Sequence, residues 1–190
     1  MPRLFVALAM PERVQDKLAE MASNLPGAEW ASSEQYHLTL RFLGEVDLEA
    51  FQTIREALGG LQCRSFHLSL RGVGLFPLRG EPQTLWAGVS KTDALMSLCN
   101  KVESILVKRG IPPDPRKFFP HVTLAKVRDS HEAYVGQYVM DHSLFAIHEI
   151  PIQGFGLYSS RLTPEGSIHT LEARYPLEGI LEAGEAGVMD

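Results

Sequence analysis

The chain has little cysteine, no long hydrophobic run and no excess of positive charge. Each of these features argues against one class of protein. Two cysteines in 190 residues, Cys63 and Cys99, indicate a reducing compartment, although the two could pair. No apolar run approaches the roughly 18 residues of a membrane-spanning helix. The opening apolar stretch reaches Glu12 and Arg13 too soon for a secretory signal. We therefore expect a cytoplasmic protein that has no membrane partner.

The acidic and basic residues are unevenly distributed along the chain. The net charge of −5 is almost accounted for by the tail at 178–190, which holds four acidic and no basic residues and is predicted to be mobile. Residues 108–128 instead hold six basic side chains against the single acidic Asp114. This stretch fits a surface for a polyanion and, equally well, an ordinary solvated face. No group of Cys and His residues has the spacing of a zinc site.

Two tetrapeptides, His37-Leu38-Thr39-Leu40 and His121-Val122-Thr123-Leu124, repeat one pattern. Successive side chains of a strand point to opposite faces, so each His and its Thr share one face while the apolar residues share the other. One copy would be ordinary for a half-exposed strand. Two copies in matching surroundings indicate an internal duplication.

The surroundings match at nearly constant offsets. The opening strands are 81 residues apart (Leu4 and Leu85), the histidines 84, and the two Gly-x-Gly-Leu-aromatic stretches, 72–76 and 154–158, are 82 apart. We therefore predict one domain over residues 1–177, with repeats at about 4–76 and 85–159. A similar stretch beginning at His67 has Glu149 at its repeat position, so His67 is predicted to be a sheet-surface residue.

Apolar periodicity and capping residues predict the elements. Helices are expected at about 11–25, 48–58, 92–109 and 130–141, with Asp47 and either Thr92 or Asp93 as N-caps and Gly110 as a terminator. Strands are expected at about 3–10, 36–43, 66–71, 85–89, 121–125, 144–151, 154–159 and 168–175. The fold class is α+β, with two pseudo-symmetric duplicated lobes of mostly antiparallel sheet flanked by helices and separated by a central cleft.

Equivalent strands brought together would set His37 and His121 across that cleft, each with a Thr hydroxyl two residues along. Imidazole titrates near pH 6.5, so one ring can act as a base and the other as an acid at neutral pH. The hydroxyls of Thr39 and Thr123 can donate to an anionic oxygen. A base, an acid and two donors suit an in-line displacement at a phosphate diester, without a metal or other cofactor. From the residues alone, either histidine fits either role.

The paired motifs resemble the signature of the 2H phosphoesterase superfamily. Their flanks, Arg41-Phe42-Leu43-Gly44-Glu45, Phe119-Pro120 and Tyr158-Ser159-Ser160-Arg161-Leu162, are similar to those of the LigT-like RNA 2',3'-cyclic phosphodiesterases, also called 2'-5' RNA ligases. The resemblance covers residues 3–177. It implies opening of a terminal ribose 2',3'-cyclic phosphate to a 2'-phosphate, with His37 as proton donor, His121 as proton acceptor, and Thr39 and Thr123 on the phosphate.

Two positions depart from the family pattern. Lys126 stands where the family usually has an Arg that contacts phosphate; Lys keeps the charge but loses the two-pronged geometry. In a regular strand Lys126 would face away from His121 and Thr123, so it needs a bulge or the end of the strand to reach them, and otherwise it is a surface lysine. His169 stands where the closing strand more often has Tyr, and we assign it no role.

The substrate expected from the resemblance is an RNA or nucleotide that ends in a 2',3'-cyclic phosphate, and no obligate protein partner is expected, so the protein should act as a monomer. Aromatic side chains can stack on a terminal base. The candidates are Phe5, Phe42, Phe119 and Tyr158, each of which also fits a core position. Surface or core roles are predicted for His131, His142 and His148.

Three alternatives stay open. The same residues would support reversible 2'-5' RNA ligation, in which a ribose hydroxyl replaces water. A related phosphodiesterase of 2'-5' oligoadenylates would use them too. A nucleotide- or RNA-binding module without turnover would keep the cleft, but binding alone has no need of two titrating groups.

Overall fold

The fold is α+β, as the sequence predicts. A computed structural model describes residues 3–76, 83–163 and 166–179. The strands are β1 (Arg3–Ala9), β2 (Ala28–Trp30), β3 (His37–Glu45), β4 (Phe66–Phe76), β5 (Gln83–Val89), β6 (His121–Val127), β7 (Ala146–Ile152), β8 (Gly154–Thr163) and β9 (Gly166–Pro176). The helices are α1 (Glu12–Ala19), α2 (Leu48–Gly59), α3 (Asp93–Lys108) and α4 (Glu132–Asp141), with a single 3₁₀ turn at Ser33–Gln35.

The strands form one antiparallel sheet in the order β7-β4-β5-β6-β3-β1-β8-β9, and the short β2 pairs with β6. The two motif strands, β3 and β6, are neighbours at its centre and are joined at the pair Leu38 and Val122. Elsewhere along their length each pairs extensively with its outer neighbour, β1 or β5. The sheet therefore consists of two four-stranded halves that meet at the motifs.

Each half contains strands from both sequence repeats. Strand β4, which ends the first repeat, pairs with β5 at the start of the second. Strand β8, which ends the second repeat, pairs with β1 at the start of the first. The two repeats thus exchange one strand each, and the chain crosses between the two halves of the sheet. The positions of the two motif strands therefore depend on both repeats.

One face of the sheet packs against the helices in a single apolar core. Leu38, Leu40, Val122 and Leu124 of the motif strands belong to it, together with Ile54 and Leu58 of α2 and Leu98 and Val102 of α3. All four helix residues are fully buried. The apolar positions of the motifs are therefore fixed in the core, which leaves the alternate positions on the opposite face.

Helix caps agree with the predictions. The Asp47 side chain accepts from the Ala50 amide at 2.8 Å, and Thr92 rather than Asp93 caps α3 by accepting from the Leu95 amide at 3.2 Å. Gly110 follows α3 with a positive φ of 85°, a conformation that suits glycine.

Two expected boundaries were wrong, and one strand was missed. Helix α1 ends at Ala19 rather than near Leu25, because the next amides turn back in short bonds, Met21 to Leu18 and Ala22 to Ala19. Strand β2 was not predicted, since three residues show no periodicity. The first motif strand, predicted at about 36–43, continues to Glu45 and includes Gly44, whose φ is 75°.

The two cysteines are separate thiols rather than a disulfide, and burial raises the pKa of Cys99 to about 12. Residues 77–82, which the sequence predicts as a loop rich in Gly and Pro, lie outside the described residues, as does the tail from residue 180. The start of that tail is bound to the domain, because the Ser65 hydroxyl donates to the Glu178 carbonyl at 2.7 Å.

Candidate active site

Four polar side chains of the motifs lie on one face of two neighbouring strands. His37, Thr39, His121 and Thr123 are half-buried, whereas Leu38 and Val122 between them are fully buried. Because Leu38 lies opposite Val122 in an antiparallel pair, the register places His37 across from Thr123 and Thr39 across from His121. Each histidine thus faces the hydroxyl of the other motif.

A bulge interrupts each motif strand at the same point. Ala7 pairs with Thr39 but Val6 pairs with Arg41, so Leu40 is the extra residue in β3. In β6 the extra residue is Leu124, between the pairs Trp86 with Thr123 and Leu85 with Ala125. The residue that follows each bulge, Arg41 or Ala125, is buried, and the next one, Phe42 or Lys126, is exposed. The bulges therefore shift the alternation by one residue.

This shift places Lys126 on the same face as His121 and Thr123. Lys126 is cross-strand to Thr84 on one side and to Glu29 of β2 on the other. It has no hydrogen bond or ion pair with any residue at positions 3–76, 83–163 or 166–179. Its ammonium group is therefore available to an anion on the motif face.

The ring of His121 is oriented by the backbone before it. Nδ1 lies 2.7 Å from the Phe119 carbonyl oxygen. Because a carbonyl only accepts, this nitrogen carries the proton, and the other, Nε2, is the free acceptor of the neutral ring. Aromatic rings surround the imidazole, with centroids 5.1 Å away for Phe76, 6.1 Å for Phe119 and 6.4 Å for Trp86.

His37 occupies the corresponding place in the other half. The backbone of Gln35, two residues before it, acts on this ring and favours its charged form. Phe5 stacks on it with centroids 5.0 Å apart, and Tyr158 stacks beyond at 6.3 Å. Burial is the main cause that lowers the pKa of His37 to about 4; His169 and His121 lower it further, and the Gln35 backbone opposes them. In the ligand-free protein His37 is therefore neutral at neutral pH.

Two glycines at repeat-related positions make room for the aromatic rings beside the histidines. A Cβ on Gly74 would lie 2.3 Å from the Trp86 ring, and one on Gly156 would lie 2.6 Å from the Tyr158 ring. Since such contacts are far inside van der Waals distance, a side chain at either position would displace the ring above it. The Gly-x-Gly-Leu-aromatic stretches therefore build the walls of the site.

Phe42 lies at the outer end of the same face, half-exposed, and its ring centroid is 6.2 Å from that of Phe5. The guanidinium of Arg116 covers it at 4.4 Å. Phe119 is also half-exposed, beside His121. All four aromatic candidates, Phe5, Phe42, Phe119 and Tyr158, thus border the motif face.

Buried Arg41 connects the first motif strand to the segment that enters the second. Its guanidinium donates to the Pro112 carbonyl, and its Nε and Nη1 lie 2.8 Å from Glu103 and 3.4 Å from Asp114. The Nε contact with Glu103 is an ion pair without hydrogen-bond direction. Asp114 in turn holds Arg116 through two 3.0 Å bonds. Arg41 therefore anchors the segment that carries Arg116 and leads to His121.

The remaining predicted surface and core histidines lie apart from the motifs. His67 faces Glu149 at 3.7 Å, which is the residue at its repeat position. His131 caps α4, His142 stacks on Tyr138 with centroids 4.0 Å apart, and His148 is exposed.

Three further residues lie beside the motif histidines: Phe76 and Trp86, which the sequence analysis missed, and His169, to which it assigned no role. Phe76 and Trp86 are the repeat partners of Tyr158 and Phe5, at offsets of 82 and 81, so the duplication was a signal that could have found them. His169 has its ring centroid 5.0 Å from that of His37. No sequence pattern links these two residues, which come together only because β8 carries β9 to that side of the sheet.

The arrangement can transfer protons at an anionic centre. It offers two imidazoles, two hydroxyls and one free ammonium group on a single face. Among the described residues no three His, Cys, Asp or Glu side chains are grouped as a metal site. Within the same residues no helix has the length and apolar character needed to span a membrane.

Comparisons with known proteins agree on one relationship. A family model described as LigT like Phosphoesterase matches residues 8–86 and 88–169. The RNA 2',3'-cyclic phosphodiesterase of Thermotoga maritima is 33% identical over 93% of this chain and 96% of its own, and that of Archaeoglobus fulgidus is 34% identical over 88% and 96%.

Solved structures show the same likeness. A Thermus thermophilus protein superposes with a TM-score of 0.73 at 28% identity, over 93% of this chain and 98% of its own. Escherichia coli LigT complexed with 3'-AMP gives 0.72 at 25% identity, over 94% and 100%.

Proposed function

The chain belongs to the LigT-like phosphoesterase family, and on that premise we propose that it hydrolyses the terminal 2',3'-cyclic phosphate of RNA to a 2'-phosphate. The observation that carries the proposal is the placement of His37, Thr39, His121 and Thr123 on one face of two paired strands. Relatives named RNA 2',3'-cyclic phosphodiesterase support the substrate class. The 3'-AMP complex of Escherichia coli LigT supports a nucleotide ligand in this fold.

The phosphate would lie between the motif strands, where the Thr39 and Thr123 hydroxyls can donate to its non-bridging oxygens. Lys126 adds a positive charge on the same face and can offset the charge of the phosphate. Lys is a point charge rather than a planar fork, so it would attract the phosphate without fixing its orientation.

The family resemblance makes His121 the proton acceptor, and its bond to the Phe119 carbonyl is compatible with that role because it leaves Nε2 without a proton. That nitrogen would remove a proton from a water molecule as the water oxygen attacks phosphorus opposite the ribose 3'-oxygen. The bond from phosphorus to the 3'-oxygen then breaks, and the bond to the 2'-oxygen remains. The product is a 2'-phosphate with a free 3'-hydroxyl.

His37 is the proton donor to the leaving 3'-oxygen. In the ligand-free protein burial lowers its pKa to about 4, so it must gain a proton when substrate binds. A bound phosphate anion favours the charged imidazolium and supplies that change. After turnover, exchange with water would return the proton from His121 to solvent, and His37 is already in its neutral, ligand-free form.

The test uses an oligoribonucleotide that ends in a 2',3'-cyclic phosphate, incubated with purified protein in excess EDTA. We expect a 2'-phosphate product from the wild type and loss of that product in His37→Ala and in His121→Ala. Full activity in both variants would contradict the proposed histidine roles.

Other products would identify the alternatives. Binding of the oligonucleotide without turnover would favour a binding module. A joined product with a 2'-5' linkage, when a second RNA supplies the attacking ribose hydroxyl, would favour ligation. Cleavage confined to internal 2'-5' adenylate linkages would favour the oligoadenylate phosphodiesterase.

A further inference from the structure

A third histidine, His169 of β9, lies directly against His37. Their ring centroids are 5.0 Å apart and the planes meet at 70°, so the edge of one ring points at the face of the other. His169 also meets Phe5 edge-on, at 5.1 Å. Since Phe5 stacks on His37 at 5.0 Å, the three rings form a mutually contacting group.

The position of His169 is tied to the residue whose backbone acts on the His37 ring. The Gln35 side chain donates to the carbonyl of Ser167, two residues before His169, at 2.7 Å. The backbone of the same Gln35 also acts on the His37 ring. Gln35 therefore connects the strand of His169 to the segment that leads into His37.

A purely structural role for His169 would carry a cost in folding free energy. Its Nδ1 is buried and has no hydrogen-bond partner among the described residues. A buried polar nitrogen left unpaired costs about 1–3 kcal/mol, whereas an apolar ring of similar shape would fill the same space without that cost. A role in the chemistry of its neighbour would account for a nitrogen-bearing ring at this position.

Among the residues that the structure describes, no carboxylate faces His37 to favour its protonation. The groups that face it are His169 from β9, His121 from β6 and Tyr158 from β8, while β1 contributes only the apolar Phe5. Burial disfavours the charged form of His169 as well as that of His37. Two imidazolium rings at this separation would repel each other, so the pair resists charging in the empty site.

We propose that His169 is a positioning residue that acts through His37: it holds the His37 ring edge-on and uncharged until an anionic phosphate binds between the motif strands. The incoming anion then offsets the repulsion, and His37 takes up a proton from solvent. Charging of the proton donor is thereby coupled to occupancy of the site. The inference rests on the proposed function for its biological meaning, but its physical content concerns two histidines in the free protein.

The test is an NMR titration of the His37 imidazole, with and without inorganic phosphate, in the wild type, His169→Gln and His169→Phe. Removing the second titrating ring should raise the pKa of ligand-free His37 by about one unit in both variants, while the phosphate-bound value changes less. His169→Phe also keeps a ring against His37. A pKa change that this variant shares with His169→Gln therefore comes from the loss of the titrating group and not from the loss of ring packing. His142→Gln is the matched control, since it removes another imidazole that stacks on an aromatic ring, here that of Tyr138 rather than Phe5 or His37.

Activity gives a second readout. The pH profile of kcat/KM should move its His37-dependent limb toward higher pH in His169→Phe, with kcat at the optimum within a few-fold of wild type. An unchanged His37 titration in both His169 variants would overturn the inference. If no cyclic phosphate is hydrolysed at any pH, the proposed function fails, yet the NMR titration still decides whether His169 controls His37.

Discussion

His121 and Phe119 are joined by a 2.7 Å hydrogen bond from the ring Nδ1 to the backbone carbonyl, which leaves Nε2 as the free acceptor of the ring. We expect His121→Gln to lower kcat by about 10²–10⁴, because an amide at the Nε2 position cannot act as the base. Substrate binding should change little, since the hydroxyls and Lys126 remain. Steady-state kinetics on a cyclic-phosphate oligonucleotide measure the loss, and equilibrium titration measures binding.

The control for that variant is His67→Gln, which alters the similar His-Leu-Ser-Leu stretch on β4. Its partner is Glu149 and not a motif residue, so kcat should stay at the wild-type value. Equal losses in the two variants would show that the effect is not specific to the motif.

Lys126 should contribute to phosphate binding through charge alone. Lys126→Met keeps the length of the side chain but removes the ammonium group, so we expect KM to rise about ten-fold, as when one moderately exposed charge contact is lost. Lys126→Arg should bind at least as well as the wild type, because it restores a charge and adds a planar fork. The matched control is Lys17→Met on helix α1, for which KM should not change. A KM that is the same in all three variants would place Lys126 outside the phosphate site.

The lowered pKa of His37 makes stability depend on pH in a defined window. The pKa is about 4 in the folded protein and about 6.5 in the unfolded chain. Between these values the unfolded chain binds more protons, so the free energy of unfolding falls as pH drops from about 6.5 to about 4. Over this pH window, the free energy of unfolding measured by urea denaturation should fall less in His37→Gln than in the wild type. Parallel curves for the two proteins would mean that His37 titrates normally when folded.

Gly74 should tolerate no side chain, because its Cβ would meet the Trp86 ring at 2.3 Å. We expect Gly74→Ala to lower the free energy of unfolding by about 1–3 kcal/mol and to reduce activity, since the displaced ring lies near His121. Gly136→Ala in helix α4 is the control. It has open space at Cβ, and it should stabilise by about 0.5–1 kcal/mol. Thermal denaturation of both variants checks the opposite signs.

We expect Arg41 to contribute to the stability of the fold, although it has no role in the proposed reaction. Arg41→Met leaves the carboxylates of Glu103 and Asp114 without their buried partner, and we expect a loss of about 2–4 kcal/mol. Arg3→Met removes an exposed pair with Glu45 and should cost no more than about 1 kcal/mol. Denaturant unfolding that gave equal losses for the two would contradict an anchoring role for Arg41.

Much of the molecule could be predicted from patterns within short stretches of the sequence. The motifs could be found from the sequence because alternation within a strand is a local property, and the duplication separated His37 and His121 from the similar His67. The caps Asp47 and Thr92 and the terminator Gly110 were likewise readable, because each acts within three or four residues of itself. The same repeat offsets also contained Phe76 and Trp86, which the sequence analysis did not extract.

Tertiary structure decided what depends on distant partners. Whether Lys126 faces the site depends on a bulge at Leu124, and a bulge is set by the register with β5 rather than by the β6 sequence. The exchange of β4 and β8 between the halves, and with it the meeting of His169 and His37, depends on which strand edges pair. Pairing between strands far apart in the chain is chosen by the packing of the whole core, so it leaves no signature in any short stretch of sequence.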